Sequence, residues 1–320
     1  MNRPISFFRN VRYEIERMLF WCVVRAAKIL PHGALLAAGR FFGSFAYFAD
    51  ARHRQVALDN VQLAMPETSK SEAKKIVRNC YRFFGASLFD ILSSFPELNR
   101  AKMDDFEYEG LEHVEAAYAK GKGAIFFTAH WGGWEQMGVA HGAKGHPMGL
   151  VARTLDNPYL DAALERFRRS TGNFLIDKNN GIRPMFRALR EGKGLAILID
   201  QSVSSGDRIF VKFFGHTAAT TPILGYLKLR TDASLIPSFA LPLPKGRYRF
   251  IYSAPVEVTL TGDRKQDVWE ITQVCTQAIE EQIRRYPDFW LWMHNRWKMN
   301  RQGAKEEWEG SSNYEKSDLY

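Results

Sequence analysis

Three short runs constrain this chain more than any other feature: Ala124 to Thr128 (AIFFT), Met148 to Ala152 (MGLVA) and Leu195 to Ile199 (LAILI). They are apolar almost throughout, without the alternation of a half-exposed strand. That is the mark of strands buried on both faces, as in a sheet sandwiched between helices. Helical segments stand between and after them. Asn157 to Ser170 carries Pro158 at its start, and Arg183 to Arg190 tolerates Pro184 in its first turn. Ile209 to Phe213, Leu235 to Leu241 and Tyr248 to Tyr252 read as later strands, and Thr220 to Leu229 and Asp267 to Tyr286 as helices. The expectation is an α/β chain with a central mixed β-sheet flanked by helices.

The first hundred residues have a different rhythm. Arg52 to Met65 reads as a helix stopped by Pro66. Ser69 and Glu72 then form a capping box that opens a helix running to about Phe95, where Pro96 ends it. Upstream lie two apolar stretches, Met18 to Leu30 and Ala34 to Phe48. A spanning helix needs about 20 mostly apolar residues, and Arg25, Lys28 and Arg40 interrupt these runs. Neither run ends in a small-residue cleavage pattern. They are expected to lie in a membrane interface, with Trp21, Phe41, Phe42 and Phe45 dipping inward. Arg3, Arg9, Arg12, Arg17, Arg25, Lys28 and Arg40 would face anionic headgroups. The alternative is a pair of ordinary core helices. The expected organisation is residues 1–50 as membrane-associating helices, 51–300 as one α/β domain and 301–320 as a polar tail.

The net charge of +9 favours an anionic partner, and the 13% aromatic content leans that partner toward lipid rather than nucleic acid. Cys22, Cys80 and Cys275 are far apart in sequence, so they form neither a zinc spacing nor a CxxC pair.

Chemistry concentrates in Phe126-Phe127-Thr128-Ala129-His130-Trp131-Gly132-Gly133-Trp134-Glu135. A buried strand delivers a histidine at its C-terminal end, where open α/β sheets bind ligands. Two glycines turn the chain, and a helix opens with a carboxylate. Five residues apart, His130 and Glu135 can meet only if the glycines bend the backbone. A neutral imidazole so held can take the proton of an alcohol attacking a carbonyl, while Glu135 fixes the tautomer. No GxSxG elbow is present, so the nucleophile would be the substrate's own hydroxyl. The Gly132 and Gly133 amides are candidate oxyanion donors. Phe126, Phe127, Trp131 and Trp134 would line an apolar channel for an acyl chain. The spacing does not fit HExxH zinc chemistry.

With these pieces in order, the chain resembles the lipid A late acyltransferases. The resemblance rests on HX4E at His130 to Glu135 and on the arginine segment Val151 to Pro158. It rests also on Asp200-Gln201, on Phe213-Phe214-Gly215 ahead of Thr220-Thr221, and on Trp290-Leu291-Trp292-Met293-His294-Asn295-Arg296-Trp297-Lys298. Upstream, Asn60 to Glu67 fits as well. The resemblance implies a glycerolipid-acyltransferase-like fold, an acyl carrier protein as donor, and a lipid A precursor as acceptor. It implies work at the cytoplasmic face of an inner membrane without metal or cofactor. Arg153 is then expected to clamp a phosphate or orient the donor, and Asp200 to bind substrate or cap its loop. Thr220 and Thr221 are expected to cap a helix. His294 would meet headgroups or the carrier, or pack beside Trp292 and Trp297. Rival readings are an acyltransferase for a lysophospholipid or glycosylated phosphoinositide, and an acyl thioesterase.

Overall fold

The computed structural model describes residues 7–96, 105–178, 181–203 and 208–298. Arg3 and the expected tail, 301–320, lie outside them. Four helices lead: α1 (Phe7–Ile29), α2 (His32–Ala49), α3 (Ala51–Ala64) and α4 (Lys70–Ser94). The capping box forms as the sequence demands. Ser69 Oγ accepts from the Glu72 amide at 3.2 Å, and Glu72 accepts from the Ser69 amide at 3.0 Å. Helices α2 and α4 cross closely because glycine faces glycine. A Cβ at Gly43 would stand 2.2 Å from the Tyr81 carbonyl oxygen, and one at Gly85 would stand 2.3 Å from that of Gly39.

The rest follows the α/β pattern: β1 (Glu107–Glu109), α5 (Leu111–Ala119), β2 (Ala124–Thr128), α6 (Trp134–Ala143), β3 (Met148–Ala152), α7 (Pro158–Arg169), β4 (Phe174–Asp177), α8 (Ile182–Arg190) and β5 (Gly194–Leu198). A hairpin, β6 (Ile209–Phe213) and β7 (His216–Thr220), precedes α9 (Ile223–Thr231), β8 (Ser234–Leu243), β9 (Arg247–Tyr252) and α10 (Arg264–Arg285). Among the described residues, seven strands form one sheet in the order β1-β9-β8-β2-β5-β3-β4. The core strands β8, β2, β5, β3 and β4 are parallel, and β9 runs antiparallel to β8. The sheet is therefore mixed, as expected.

Helices cover both faces. Ile125 and Phe127 pack with Val61, Val77, Leu189, Leu224 and Ile279, from α3, α4, α8, α9 and α10. Ala124 and Phe126 pack with Val24, Val114, Val139 and Phe167, from α1, α5, α6 and α7. The helix expected from Thr220 starts later, because Thr220 closes β7 and Pro222 fixes the turn into α9. The short edge strands β1 and β4 and the second hairpin strand β7 escaped the sequence reading. At three to five residues they carry little periodicity.

No described helix is long and apolar enough to cross a membrane. The aromatic face of α2 is uncovered, with Phe41, Phe45 and Phe48 about two-thirds exposed and Phe42 about half.

Candidate active site

Strands β2 and β5 lie side by side, with Thr128 opposite Leu198. The Ile199 amide donates to the Thr128 carbonyl at 3.1 Å, which extends the pairing one step past the strand ends. Two residues beyond each strand stand His130 and Asp200, and register alone brings them together. The His130 Nδ1–H donates to Asp200 Oδ1 at 2.9 Å. The other carboxylate oxygen accepts from the His130 backbone amide at 2.9 Å and from Trp290 Nε1 at 2.8 Å. Asp200 is buried and His130 is partly open.

Burial alone would raise the Asp200 pKa. The charge and hydrogen bond of His130, with the bonds from Trp290 and the backbone amide, outweigh it and hold the group at about 2. Burial alone would likewise lower His130. The Asp200 charge and hydrogen bond, with the Glu135 charge, lift it above the ordinary 6.5. An ionised Asp200 keeps the neutral ring's proton on Nδ1 and its lone pair on Nε2. The Gln201 side-chain amide lies 3.4 Å from that Nε2.

This geometry corrects the expected pairing. Glu135 is not the group that holds the imidazole: its two oxygens accept from Arg168 at 2.6 and 3.0 Å. Helix α6 opens directly after Gly133 with Glu135 in its first turn, so Glu135 reaches across to α7, while the ring turns toward the neighbouring strand. The two glycine amides, expected to face an oxyanion, are engaged by backbone carbonyls instead. Gly132 N donates to the Phe289 carbonyl and Gly133 N to the Ala240 carbonyl. The pair is there for close approach. Gly132 sits at φ +61°, where a Cβ would lie 1.9 Å from the Ala240 oxygen, and a Cβ on Gly133 would lie 2.4 Å from the Tyr248 ring.

A cavity of about 880 Å³ opens beside His130. It runs under α6 and α7 along the sheet face bearing Phe126, Thr128, Leu150 and Ala196, and Trp134, Met137, Gly138 and Leu164 roof it. Phe126 and Trp134 line it as expected, but Phe127 and Trp131 do not. They point to the opposite face, where Trp131 is fully buried and donates to the Tyr286 carbonyl at 3.1 Å. Arg153 stands at the rim, largely exposed and 3.4 Å from Asp156. Lys178, which the sequence reading passed over, lines the same cavity and opposes protonation of His130.

The C-terminal tryptophan segment is scaffold. The Leu291 amide donates to the His130 carbonyl at 3.0 Å, and Asn60 donates to the carbonyls of Trp292 and His294. His294 Nε2 accepts from the Ser202 amide, and burial pushes its pKa down to about 4. Buried Arg296 donates to the Ala219 carbonyl and to Thr220 Oγ1. Of the cysteines, Cys80 and Cys275 are buried and Cys22 is exposed. Burial pushes the Cys80 thiol up to about 12.

Residues 6–299 match the bacterial lipid A biosynthesis acyltransferase family. The chain belongs to this family. It is 24% identical to the lipid A biosynthesis lauroyltransferase of Escherichia coli K12, over 89% of this chain and 91% of that one. It is 25% identical to the myristoyltransferase of the same strain, over 87% and 83% of the two chains. It is 24% identical to that strain's palmitoleoyltransferase, over 84% and 86%. This acyltransferase of lipid A biosynthesis thus carries a His–Asp pair beside a cavity lined by both apolar and polar side chains.

Proposed function

We propose that the chain transfers a fatty acyl group from acyl carrier protein to a hydroxyl of a lipid A precursor, with His130 as general base. One observation carries this reading: the imidazole presents Nε2 at the groove, with Nδ1 held by a buried, ionised carboxylate. The acceptor hydroxyl gives its proton to Nε2 as its oxygen attacks the thioester carbonyl. Asp200 stabilises the imidazolium, and collapse of the tetrahedral intermediate expels the donor thiolate, which takes the proton back from Nε2. Gln201 is the side-chain donor nearest the base and is assigned to the oxyanion. Glu135 acts through its charge, which raises the basicity of His130, and by holding Arg168 at the cavity wall.

Arg153 and Lys178 at the cavity suit a phosphate-bearing donor or acceptor. The exposed aromatics of α2, beside Arg40, support docking at an anionic membrane surface, here read as the cytoplasmic face of the inner membrane. The test is acyl transfer from labelled acyl carrier protein, with the lipid product identified by mass spectrometry. His130→Ala is expected to abolish transfer while the protein stays folded, and full activity in that variant would remove the mechanism. Free fatty acid released without any acceptor would instead favour a thioesterase.

A further inference from the structure

The relatives' names differ in the acyl group they transfer, so some feature of the shared architecture must set chain length. On β3 the groove's lining reaches Met148, level with Ala124, but along β2 it is shorter. On β2 its lining stops at Phe126 and does not reach Ala124. Over Phe126 lies the imidazole of His141, with ring centroids 4.5 Å apart. His141 Nδ1 is hydrogen-bonded to Tyr252 OH at 2.9 Å, and both side chains line the cavity and are buried. Its Nε2 has no partner among the described residues. Burial pushes the His141 pKa down to about 3, so the ring is neutral and the end wall is uncharged.

We infer that His141, braced by Tyr252 and seated on Phe126, is the floor of the acyl groove and limits the transferred chain to about ten to twelve carbons. The length follows from the strand. His130 and Phe126 are four residues apart, about 13 Å at roughly 3.3 Å per residue. An extended hydrocarbon advances about 1.25 Å per carbon, from a bond near 1.5 Å and an angle near 111°. The floor is also stiff. A longer chain must displace a ring that is hydrogen-bonded on one side and packed on the other, whereas a methionine or leucine floor would simply turn aside. Gly138, one turn before His141 on α6, keeps the mid-groove open. A Cβ there already reaches the Leu150 side chain at 3.5 Å, so a larger residue would close the passage.

The inference rests on the reading that the donor chain occupies this cavity, and the test separates the two. Transfer efficiency is measured with carrier-bound saturated chains of eight to sixteen carbons. Binding of the corresponding free fatty acids is followed in parallel by thermal shift. In the native protein both profiles are expected to fall beyond about twelve carbons. His141→Ala should move the limit to longer chains, raising relative efficiency by about fourfold per methylene newly accommodated. Gly138→Leu should move it to shorter chains. Opposite shifts in these internal ratios cannot come from a general loss of folding. A native optimum at sixteen carbons, or a limit that neither variant moves, would overturn the floor. Fatty-acid binding with the expected limit but no transfer from any carrier-bound chain would sink the donor reading and leave the floor standing.

Discussion

Asp200→Asn changes one atom in a buried triad of hydrogen bonds, and the structure dictates how the amide must sit. Asp200 Oδ2 accepts from two donors, the His130 amide and Trp290 Nε1, and Oδ1 accepts from one, His130 Nδ1–H. If the new NH2 faced the two donors, both bonds would be lost. The amide will therefore keep its oxygen there and point its NH2 at Nδ1. The imidazole must then accept at Nδ1, which places its proton on Nε2, the atom that should receive the substrate's proton. Backbone geometry survives, but the base is in the wrong tautomer.

General-base catalysis and tautomer control of this kind are worth roughly 10³- to 10⁴-fold, or about 4–5 kcal/mol of barrier. Lost charge pairing should also cost stability. Depression of the Asp200 pKa from 3.8 to about 2 corresponds to roughly 2 kcal/mol. That contribution is present above the unfolded value and is lost as pH falls through the folded one. The assay is kcat with a labelled acyl donor, alongside circular dichroism and thermal unfolding of the same preparation. A folded Asp200→Asn protein that keeps kcat within tenfold of the native value would refute the assignment of Asp200 as the partner of His130.

Other substitutions probe the surroundings. The acid limb of the kcat/KM profile should have its midpoint above 6.5, since only neutral His130 can act and Asp200 and Glu135 raise its pKa; Glu135→Gln should move that midpoint down. Glu135→Ala strands the largely buried Arg168 and should cost about 3 kcal/mol in unfolding, most of it recovered when Arg168→Met is added. Trp290→Phe removes one donor from Asp200 and should lower kcat about tenfold with a smaller effect on KM, measured by steady-state transfer. Gly132→Ala forces a Cβ against the Ala240 carbonyl at positive φ and should lower the unfolding free energy by more than 2 kcal/mol in a denaturant titration.

The sequence was most legible where burial is strongest. Runs such as AIFFT could be read as strands because both faces of β2 are covered, and the helices were legible through their caps, Ser69 and Asn157 among them. The place of His130 at the sheet edge was legible from its position after an apolar run. Its partner was not. Seventy residues separate His130 from Asp200, and only the order β2-β5-β3, in which the chain skips a position and later fills it, makes those strands neighbours. Glu135 is close to His130 in sequence, yet its helix starts on the far side of the glycine turn and carries the carboxylate toward Arg168. One signal pointed the other way. Asp200 also stands two residues past a buried strand, and two polar residues at matching positions after parallel strands will meet if the strands pair.

The same logic explains which aromatics reach the groove. Successive residues of a strand face opposite sides, so Phe126, Thr128 and His130 share one face, and Ile125, Phe127, Ala129 and Trp131 the other. The first set lines the cavity, and the second is sealed in the core with Trp290 and Trp292. The run AIFFTAHW carries this parity, which sets Phe127 and Trp131 on the core face and not in the channel. Parity also ties the His–Asp pair to the core behind it. Trp131, on the core face, bridges to Trp290, whose indole holds Asp200, and the Leu291 amide holds the His130 carbonyl. The groove face presents His130 to the cavity, while the face behind it holds His130 within a hydrogen bond of Asp200. A bulky substitution at Phe127 should therefore disturb transfer through the position of His130, and one at Phe126 through the room left for the acyl chain.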